Sequence, residues 1–399
     1  MKIAILSDFH LGYERFFDDA YTQAKEALNK ASEVADMLII PGDIFDYRKP
    51  EPEVMAQAVE LFRDISQKNY PAKVVEYTGK RLYTDKPIIA IPGTHERRAE
   101  DSVDSVDVLH LAGLLVEVNK SKVVVQKGNE KVSVYGLGGI ADERFKSALA
   151  DLDLSLDKNT FNIFMIHQTL YELLPFSEEF THIEELPEGF DLYVNGHIHN
   201  RLELKCHGKE FLIPGSTVLT QLKGVEQEEK GFILYDTETN THTFHPIKSR
   251  HFSLIKINID GKEPKEIKKE IATVLENKLN SEKGNKPIIK VEITGNLKPG
   301  FKPIDLDISE FQSIQKETAI VEVTKSNIKE EDSKAAEELR SGVVENMSIH
   351  DFGVSIFTEK LKSNNYSLKV NPTKLFDILS SDDKKEVAVK KAIDEIFKE

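Results

Sequence analysis

The sequence predicts an α/β protein: a two-sheet β-sandwich flanked by helices, then a small α/β domain and a helical C-terminal tail. Three observations predict it. Up to "PIIAIPGTHE", strand-length apolar runs alternate with segments of helical period. From there to about residue 250 strands dominate, with few helices between them. The alternation then restarts at "HFSLIKINI". A strand–helix–strand order gives parallel strands with helix cover, and a surplus of strands calls for a second sheet packed on the first.

Taken in order, "KIAIL" is a short apolar strand and "AYTQAKEALNKASEVA" carries apolar residues at helical spacing. "DMLII" leads into "PGD"; "EPEVMAQAVELFRDISQK" is a helix opened by Pro52; "PIIAI" precedes "PGTHE". "KVVVQKGNEKVSVYGLGG" predicts a hairpin around Gly128 and Asn129. "FNIFMIHQ", "FDLYVNGHIHN", "EFLIPGS" and "GFILYDTETNTHTFHPI" are further strands. "HFSLIKINI", the helical "EPKEIKKEIATVLENKL", "KPIIKVEITG" and "TAIVEVTKS" make a compact second domain. These runs divide the chain into 1–250, 251–325, a charged linker over 326–345 and a helical segment over 346–399. In the last, Ile349, Phe352, Ile356 and Phe357 share one broad apolar face.

Composition narrows the class. At 40% apolar and 30% charged residues the chain reads as a water-soluble globular protein. No apolar run approaches the ~18 residues of a membrane span, and "MKIAILSDFH" is too short in its apolar part for a signal peptide. The expected location is cytoplasmic. Cys206 is the only cysteine, which excludes an internal disulfide and a thiolate metal cluster. The net charge of -15 argues against a protein coated all over by nucleic acid, while leaving room for a local basic groove.

The chemistry sits at strand ends. "ILSDFH" carries Asp8 and His10, "IIPGDIFD" Asp43 and Asp46, "IIAIPGTHE" Thr94, His95 and Glu96, "IFMIHQ" His167, and "YVNGHIHN" His197 and His199. Sites in α/β sheets form at the carboxyl ends of strands, so these groups can converge in one crevice. Two divalent cations ~3.5–4 Å apart need a bridging carboxylate flanked by imidazoles and carboxylates, a donor set suited to Mn²⁺, Zn²⁺ or Fe²⁺. Taken singly, each fragment is more often a turn or a satisfied core residue; the ordered conjunction carries the signal. His110, His182, His207, His242, His245, His251 and His350 have no such context and are not assigned to the site.

The ordered motifs Asp8-Phe9-His10, Gly42-Asp43-Ile44-Phe45-Asp46, Gly93-Thr94-His95-Glu96, His167 and Gly196-His197-Ile198-His199 resemble those of calcineurin-like metallophosphoesterases. More narrowly, "SDFHLGYERF" and "GDIFDYRKPEP" resemble the DNA double-strand-break repair nucleases, the family of bacterial SbcD and its meiotic-recombination-eleven relatives, over about residues 1–325.

That resemblance implies a metallophosphoesterase fold over 1–250, a capping, DNA-recognition domain over 251–325 and an ATPase-docking tail. It implies two Mn²⁺ ions, other divalent transition metals being possible. One would be held by Asp8, His10, Asp43 and His199, the other by Asp43, His167, His197 and the residue at Thr94. His95 would serve the leaving oxygen, with Glu96 orienting it from behind. Two departures stand out: Thr94 replaces the family's usual asparagine, and Asp46 stands where many members have histidine. Arg15, Arg48, Lys49, Arg97, Arg98 and Arg201 adjoin the motifs and are candidate DNA contacts. The implied protein is a nucleoid-associated homodimer that works on DNA with an SMC-like ABC ATPase of the SbcC type. The alternatives are a small-substrate nucleotide phosphodiesterase and a docking subunit with a weakened metal site.

Overall fold

The computed structural model describes residues 1–329 apart from 80, 82, 99–101, 153, 174–179, 282–285, 312–313 and 316–318, and beyond them 354, 357, 358, 371–379 and 390. The chain divides into two compact units: Met1–Leu254 with Glu282–Lys290 and Gln315–Ile320, and Ile255–Ser281 with Val291–Ile314 and Val321–Glu399.

The first unit is a sandwich of two sheets. One sheet has six strands. Four run parallel in the order β1 (Lys2–Ile5), β2 (Met37–Pro41), β4 (Ile88–Ile91) and β5 (Val116–Glu117). β12 (Gly231–Asp236) and β13 (Thr241–Pro246) extend it antiparallel beyond β1. The other sheet has seven strands. Its centre is the parallel set β7 (Glu130–Leu137), β8 (Phe161–Ile166), β9 (Leu192–Asn195) and β11 (Lys209–Ile213). β6 (Ser121–Lys127) and β3 (Lys73–Tyr77) extend one side, and β10 (Leu202–Cys206) the other. The expected hairpin joins β6 to β7, with Lys127 paired to Glu130 and Gly128 at φ +59°.

Alternation along the strands builds the layers. Ile3, Ile5, Met37, Ile39, Ile89 and Ile91 face inward against Val123, Val134, Ile163, Met165 and Val194 of the second sheet. The intervening Ala4, Leu38, Ile40, Ile88 and Ala90 face outward, into a core shared with helices α1 (Phe17–Val34), α2 (Pro52–Ser66) and α3 (Ser105–Leu111). Small residues on α1 (Ala24, Ala27 and Ala31) belong to this core, where short side chains let a helix backbone come close to a sheet. Pro52 opens α2 at its first position, where a missing N–H costs nothing. On the far side Tyr135, Phe164, Tyr193 and Phe211 pack with Phe145 of α4 (Asp142–Ala150) and Phe190.

The third sheet is formed by β14 (Phe252–Asn258), β15 (Ile288–Asn296), β17 (Ile320–Lys329) and β16 (Ile314–Gln315), in that order. The predicted restart at "HFSLIKINI" is β14. Within the second unit Ile267, Ile271 and Leu275, four apart on α5 (Pro264–Ser281), are buried, as are Ile257, Val291, Ile293 and Val323. The expected linker over 326–345, apart from the end of β17, and most of the tail over 346–399 lie outside the described residues. A helix over Pro372–Leu379 is described; Leu375 is buried, and the rings of Phe357 and Phe376 meet at 5.8 Å. No helix among the described residues is long and apolar enough to cross a membrane.

Candidate metal centre

Five parallel strands, β1, β2 and β4 of one sheet and β8 and β9 of the other, deliver their carboxyl-terminal residues to a single cluster. Asp8, His10, Asp43 and His197 all take left-handed backbone angles, with φ 54, 47, 50 and 72°. Non-glycine residues seldom do so, and the strain is tolerated where the surroundings fix a functional turn. The motif glycines let the strand ends close in. Gly42, at φ +89°, leaves no room for a Cβ, which would collide with the His167 ring and with Gly93. A Cβ at Gly196 would collide with the Pro41 carbonyl and His167. Close approach therefore requires glycine at both positions, and at Gly42 the torsion requires it as well.

Three groups of side chains could each hold a cation: Asp8, His10 and His199; Asp43, His167 and His197; and His10, Asp43 and His95. The imidazoles are gripped from behind. His10 Nδ1 bonds Asp46 Oδ1 at 3.1 Å, His167 Nδ1 donates to the Pro41 carbonyl at 2.7 Å, and His199 Nδ1 bonds the Thr220 hydroxyl. Their Nε2 atoms are turned into the cluster. His10 and His199 face each other Nε2 to Nε2 at 3.1 Å, each 3.9 Å from Asp8 Oδ1. His167 Nε2 lies 3.1 Å from Asp43 Oδ2, off the line of a hydrogen bond. Asp8 Oδ2 is buried with no hydrogen-bond partner among the described residues. Orphaned buried acceptors and inward imidazole nitrogens, each with its outer nitrogen held by the protein, fit divalent cations bound by mixed nitrogen and oxygen donors.

The electrostatics are those of a site built for positive charge. Burial lifts the Asp8 carboxyl to about 6 even against the pull of His167 and His10. Burial would lift Asp43 too, but the charges of His167, His10 and His95 hold it well below the usual carboxylate range. Burial would lower His167, yet the Asp43 carboxylate raises it to about 9. Burial, reinforced by His167, pulls His197 down to about 4; burial, with His10 and Lys230, pulls His199 down to about 2.

Asp46 and Glu96 have separable roles. Asp46 takes His10 Nδ1 on its carboxylate and His95 Nδ1 on its backbone carbonyl, at 2.6 Å. Glu96 was expected to orient His95; its carboxylate instead accepts backbone N–H groups of Asp43, Phe45 and Gly93 at 3.2, 2.6 and 2.7 Å. It pins the two strand-end turns together, and Asp46 positions the ring. The reason is geometric: a fully buried carboxylate needs donors, and the turn amides supply them. The His95 N–H reaches Asp43 Oδ1 at 2.9 Å, and the Thr94 hydroxyl donates to Asp43 Oδ2 at 3.4 Å.

Beside the cluster lies an open cleft of about 700 Å³ lined by Asp46, Tyr47, Arg48, Lys49, Thr94 and His95. Of the candidate DNA contacts, Arg48 and Lys49 are therefore at the site. Arg15 is exposed with its guanidinium 5.3 Å over the Phe16 ring, Arg98 donates to the Val103 carbonyl, and Arg201 stacks 4.1 Å over Phe244. Arg97 lies close enough to Asp142 for its charge to act there. Sequence reasoning missed Thr169, which bonds His197 Nε2 at 3.0 Å, and Thr220, Glu226 and Lys230 behind His199. They occupy no motif spacing, and only the fold brings them to the ligands.

A two-sheet sandwich with a shared Asp–His cluster at its parallel strand ends defines a metal-dependent phosphoesterase, and the chain belongs to the calcineurin-like phosphoesterase family, whose sequence profile matches residues 1–201. Within that family the chain is similar to double-strand break repair proteins. It is 25% identical to mre-11 of Caenorhabditis elegans over 62% of this chain and 40% of that one, and 27% identical to MRE11 of Homo sapiens over 57% and 38%. It is 25% identical to Mre11 of Saccharolobus solfataricus over 74% of this chain and 75% of that one. The match therefore spans about two-fifths of the length of the first two relatives. The resemblance read from the ordered motifs is borne out.

Proposed function

We propose that the chain is a metal-dependent DNA nuclease of double-strand-break repair, exonucleolytic on duplex ends and endonucleolytic on single strands. The observation that carries this reading is two ligand groups, Asp8 with His10 and His199 and Asp43 with His167 and His197, next to an open cleft bearing Arg48, Lys49 and His95. Asp8, His10, Asp43 and His199 hold one ion; Asp43, His167 and His197 hold the other, with Thr94 alongside. The proposed ions are two Mn²⁺, which when bound neutralise phosphodiester charge and acidify a water. The chain's own contribution is positional. Asp46 engages His95 at Nδ1, so proton transfer to a leaving oxygen falls to Nε2. Arg48 and Lys49 attract phosphates to the cleft despite the net charge of -15.

Similarity to double-strand break repair proteins supports DNA as substrate. On the same reading residues 251–325 serve as a DNA-recognition cap, and the protein acts as a nucleoid-associated homodimer with an SMC-like ABC ATPase docked by the 346–399 segment. Purified protein with Mn²⁺ is tested on linear duplex DNA and on a chromogenic phosphodiester. DNA degradation is expected. Dye release without DNA degradation would make it a small-substrate phosphodiesterase, and inactivity on both would make it a docking subunit.

A further inference from the structure

Behind His199, away from the other ligands, runs a buried chain of polar groups that motif reading does not reach. His199 Nδ1 bonds the Thr220 hydroxyl, and that hydroxyl lies 3.0 Å from Glu226 Oε1. Glu226 is 3% exposed and also takes the backbone N–H groups of Thr220, Gln221 and Lys223 at 2.9, 2.8 and 3.4 Å. Lys230, 5% exposed, stands 3.8 Å from Glu226 Oε1 and donates to the His199 carbonyl and to Ser216 Oγ, both at 3.0 Å.

Proton counting fixes the direction of this chain. Both Glu226 oxygens face donors, so Glu226 acts as an acceptor. The Thr220 hydroxyl has one hydrogen and gives it to Glu226. Its lone pair must then receive the hydrogen on His199 Nδ1. His199 is thereby held as the Nδ1–H tautomer, with the Nε2 lone pair directed at Asp8 and His10. We infer that Glu226 and Thr220 are positioning residues for His199, a carboxylate–hydroxyl–imidazole relay that presets the tautomer a cation at Nε2 requires, with Lys230 anchoring the backbone of the same residue. A carboxylate behind a ligating histidine is a known way to fix ring orientation and raise basicity; here a threonine hydroxyl is interposed. The inference rests on His199 being a ligand, as proposed above.

The test uses the full-length, metal-free protein carrying ¹⁵N-histidine, with the His199 ring signals assigned by their loss in His199→Ala. The wild type should show a protonated Nδ1 and an unprotonated Nε2; the opposite tautomer overturns the relay without any variant being needed. Thr220→Val should shift proton density toward Nε2 and weaken calorimetric Mn²⁺ binding at one of two sites by roughly tenfold to a hundredfold. Thr220→Ser, which keeps the hydroxyl, should restore both readouts. Glu226→Gln should shift the tautomer in the same sense as Thr220→Val. Unchanged tautomer and Mn²⁺ affinity within twofold in Thr220→Val overturn the relay while leaving the ligand assignment standing. Retention of two Mn²⁺ equivalents in His199→Ala overturns the ligand assignment itself, and the relay's purpose with it.

Discussion

His10 and His199 point their Nε2 atoms at each other across 3.1 Å. Two lone pairs at that distance repel, so one nitrogen carries a proton. His10 is the donor: burial acts to lower it, but the Asp46 hydrogen bond and the charges of Asp43 and Asp8 raise it above the ordinary histidine value. His199, pulled down to about 2 by burial, is the acceptor. On the other side of Asp43, a proton on His167 answers the carboxylate at 3.1 Å. In the metal-free protein protons occupy positions that cations would take, and metal uptake must displace them.

That exchange sets a pH dependence. His167, with its value raised from 6.5 to about 9, binds a proton in the folded metal-free protein where the unfolded chain does not. A raised histidine adds stability that is whole below about pH 6.5 and fades as pH climbs through about 9. His10 is raised as well and acts in the same direction. Asp8, at about 6, and the lowered His197 and His199 titrate below this window. The metal-free protein should therefore melt at lower temperature at pH 9 than at pH 6.5, and Mn²⁺ affinity at the site His167 joins should rise by about tenfold per pH unit across the same range, for the one proton His167 releases. Calorimetric Mn²⁺ titrations in two buffers of different ionisation enthalpy count the proton. Affinity flat between pH 6.5 and 8.5 would exclude His167 as a ligand that must first deprotonate.

Asp43 is the residue common to two of the ligand groups, and it accepts from the His95 amide and the Thr94 hydroxyl. Asp43→Asn should lower Mn²⁺-dependent hydrolysis by on the order of 10³ or more, since both ions lose a ligand. His197→Ala should do the same through one ion. Turnover of either variant within tenfold of wild type would rule out these assignments, provided that circular dichroism shows the fold unchanged.

His95 belongs to a possible ligand triad with His10 and Asp43, yet its Nδ1 is committed to the Asp46 carbonyl and its side chain is 41% exposed in the cleft. In the role proposed above, donating a proton to the leaving oxygen, His95 would be dispensable for metal binding. His95→Ala should keep both Mn²⁺ equivalents and lose roughly 10² to 10⁴ in turnover. Metal content of the purified variant decides the matter: loss of an ion together with activity would make His95 a ligand.

The sandwich was legible because buried parallel strands are nearly continuous apolar runs, as in "DMLII" and "PIIAI", and because the strand ends carry ordered Asp and His residues. Where each outer imidazole nitrogen goes was not legible. The Pro41 carbonyl that takes His167 Nδ1 is a backbone atom 126 positions away, and Thr220 is one threonine among many until β11 and the turn after it bring it to His199. Glu96 shows the complementary limit: its spacing beside His95 suggested contact with that ring, whereas the turn directs its carboxylate to three amides. Of the arginines adjoining the motifs, Arg48 lines the cleft and Arg201 covers Phe244, a distinction that no count of neighbouring charges makes.

The C-terminal segment gives a prediction of partnership. Leu375 is buried within the chain and Phe376 meets Phe357, so part of the apolar face assigned to docking has a partner in its own unit. The docking proposed above would draw on the other apolar residues of the segment. Truncation at about residue 330 should preserve Mn²⁺-dependent cleavage of single-stranded DNA and abolish co-purification with an SMC-like ABC ATPase. An undiminished complex would refute the docking role, and an insoluble truncation would assign the segment to the chain's own packing.

Thr94 stands where the resemblance leads one to expect asparagine. Its hydroxyl is drawn to Asp43 Oδ2 at 3.4 Å, the same oxygen that faces His167 Nε2. A threonine side chain is short and β-branched, and a hydroxyl hydrogen pointed at a carboxylate leaves only its lone pairs for an ion. In the site proposed for Asp43, His167 and His197, Thr94 would offer an ion a weaker neutral donor than a carbonyl. A deficit of about 1–2 kcal/mol weakens binding roughly 5- to 30-fold. Thr94→Asn should tighten the weaker of two Mn²⁺ sites by that factor and lower the Mn²⁺ concentration for half-maximal cleavage in step, while the site formed by Asp8, His10 and His199 stays unchanged. Calorimetry that finds two equally tight sites in the wild type, indifferent to the substitution, would show that Thr94 serves only the turn.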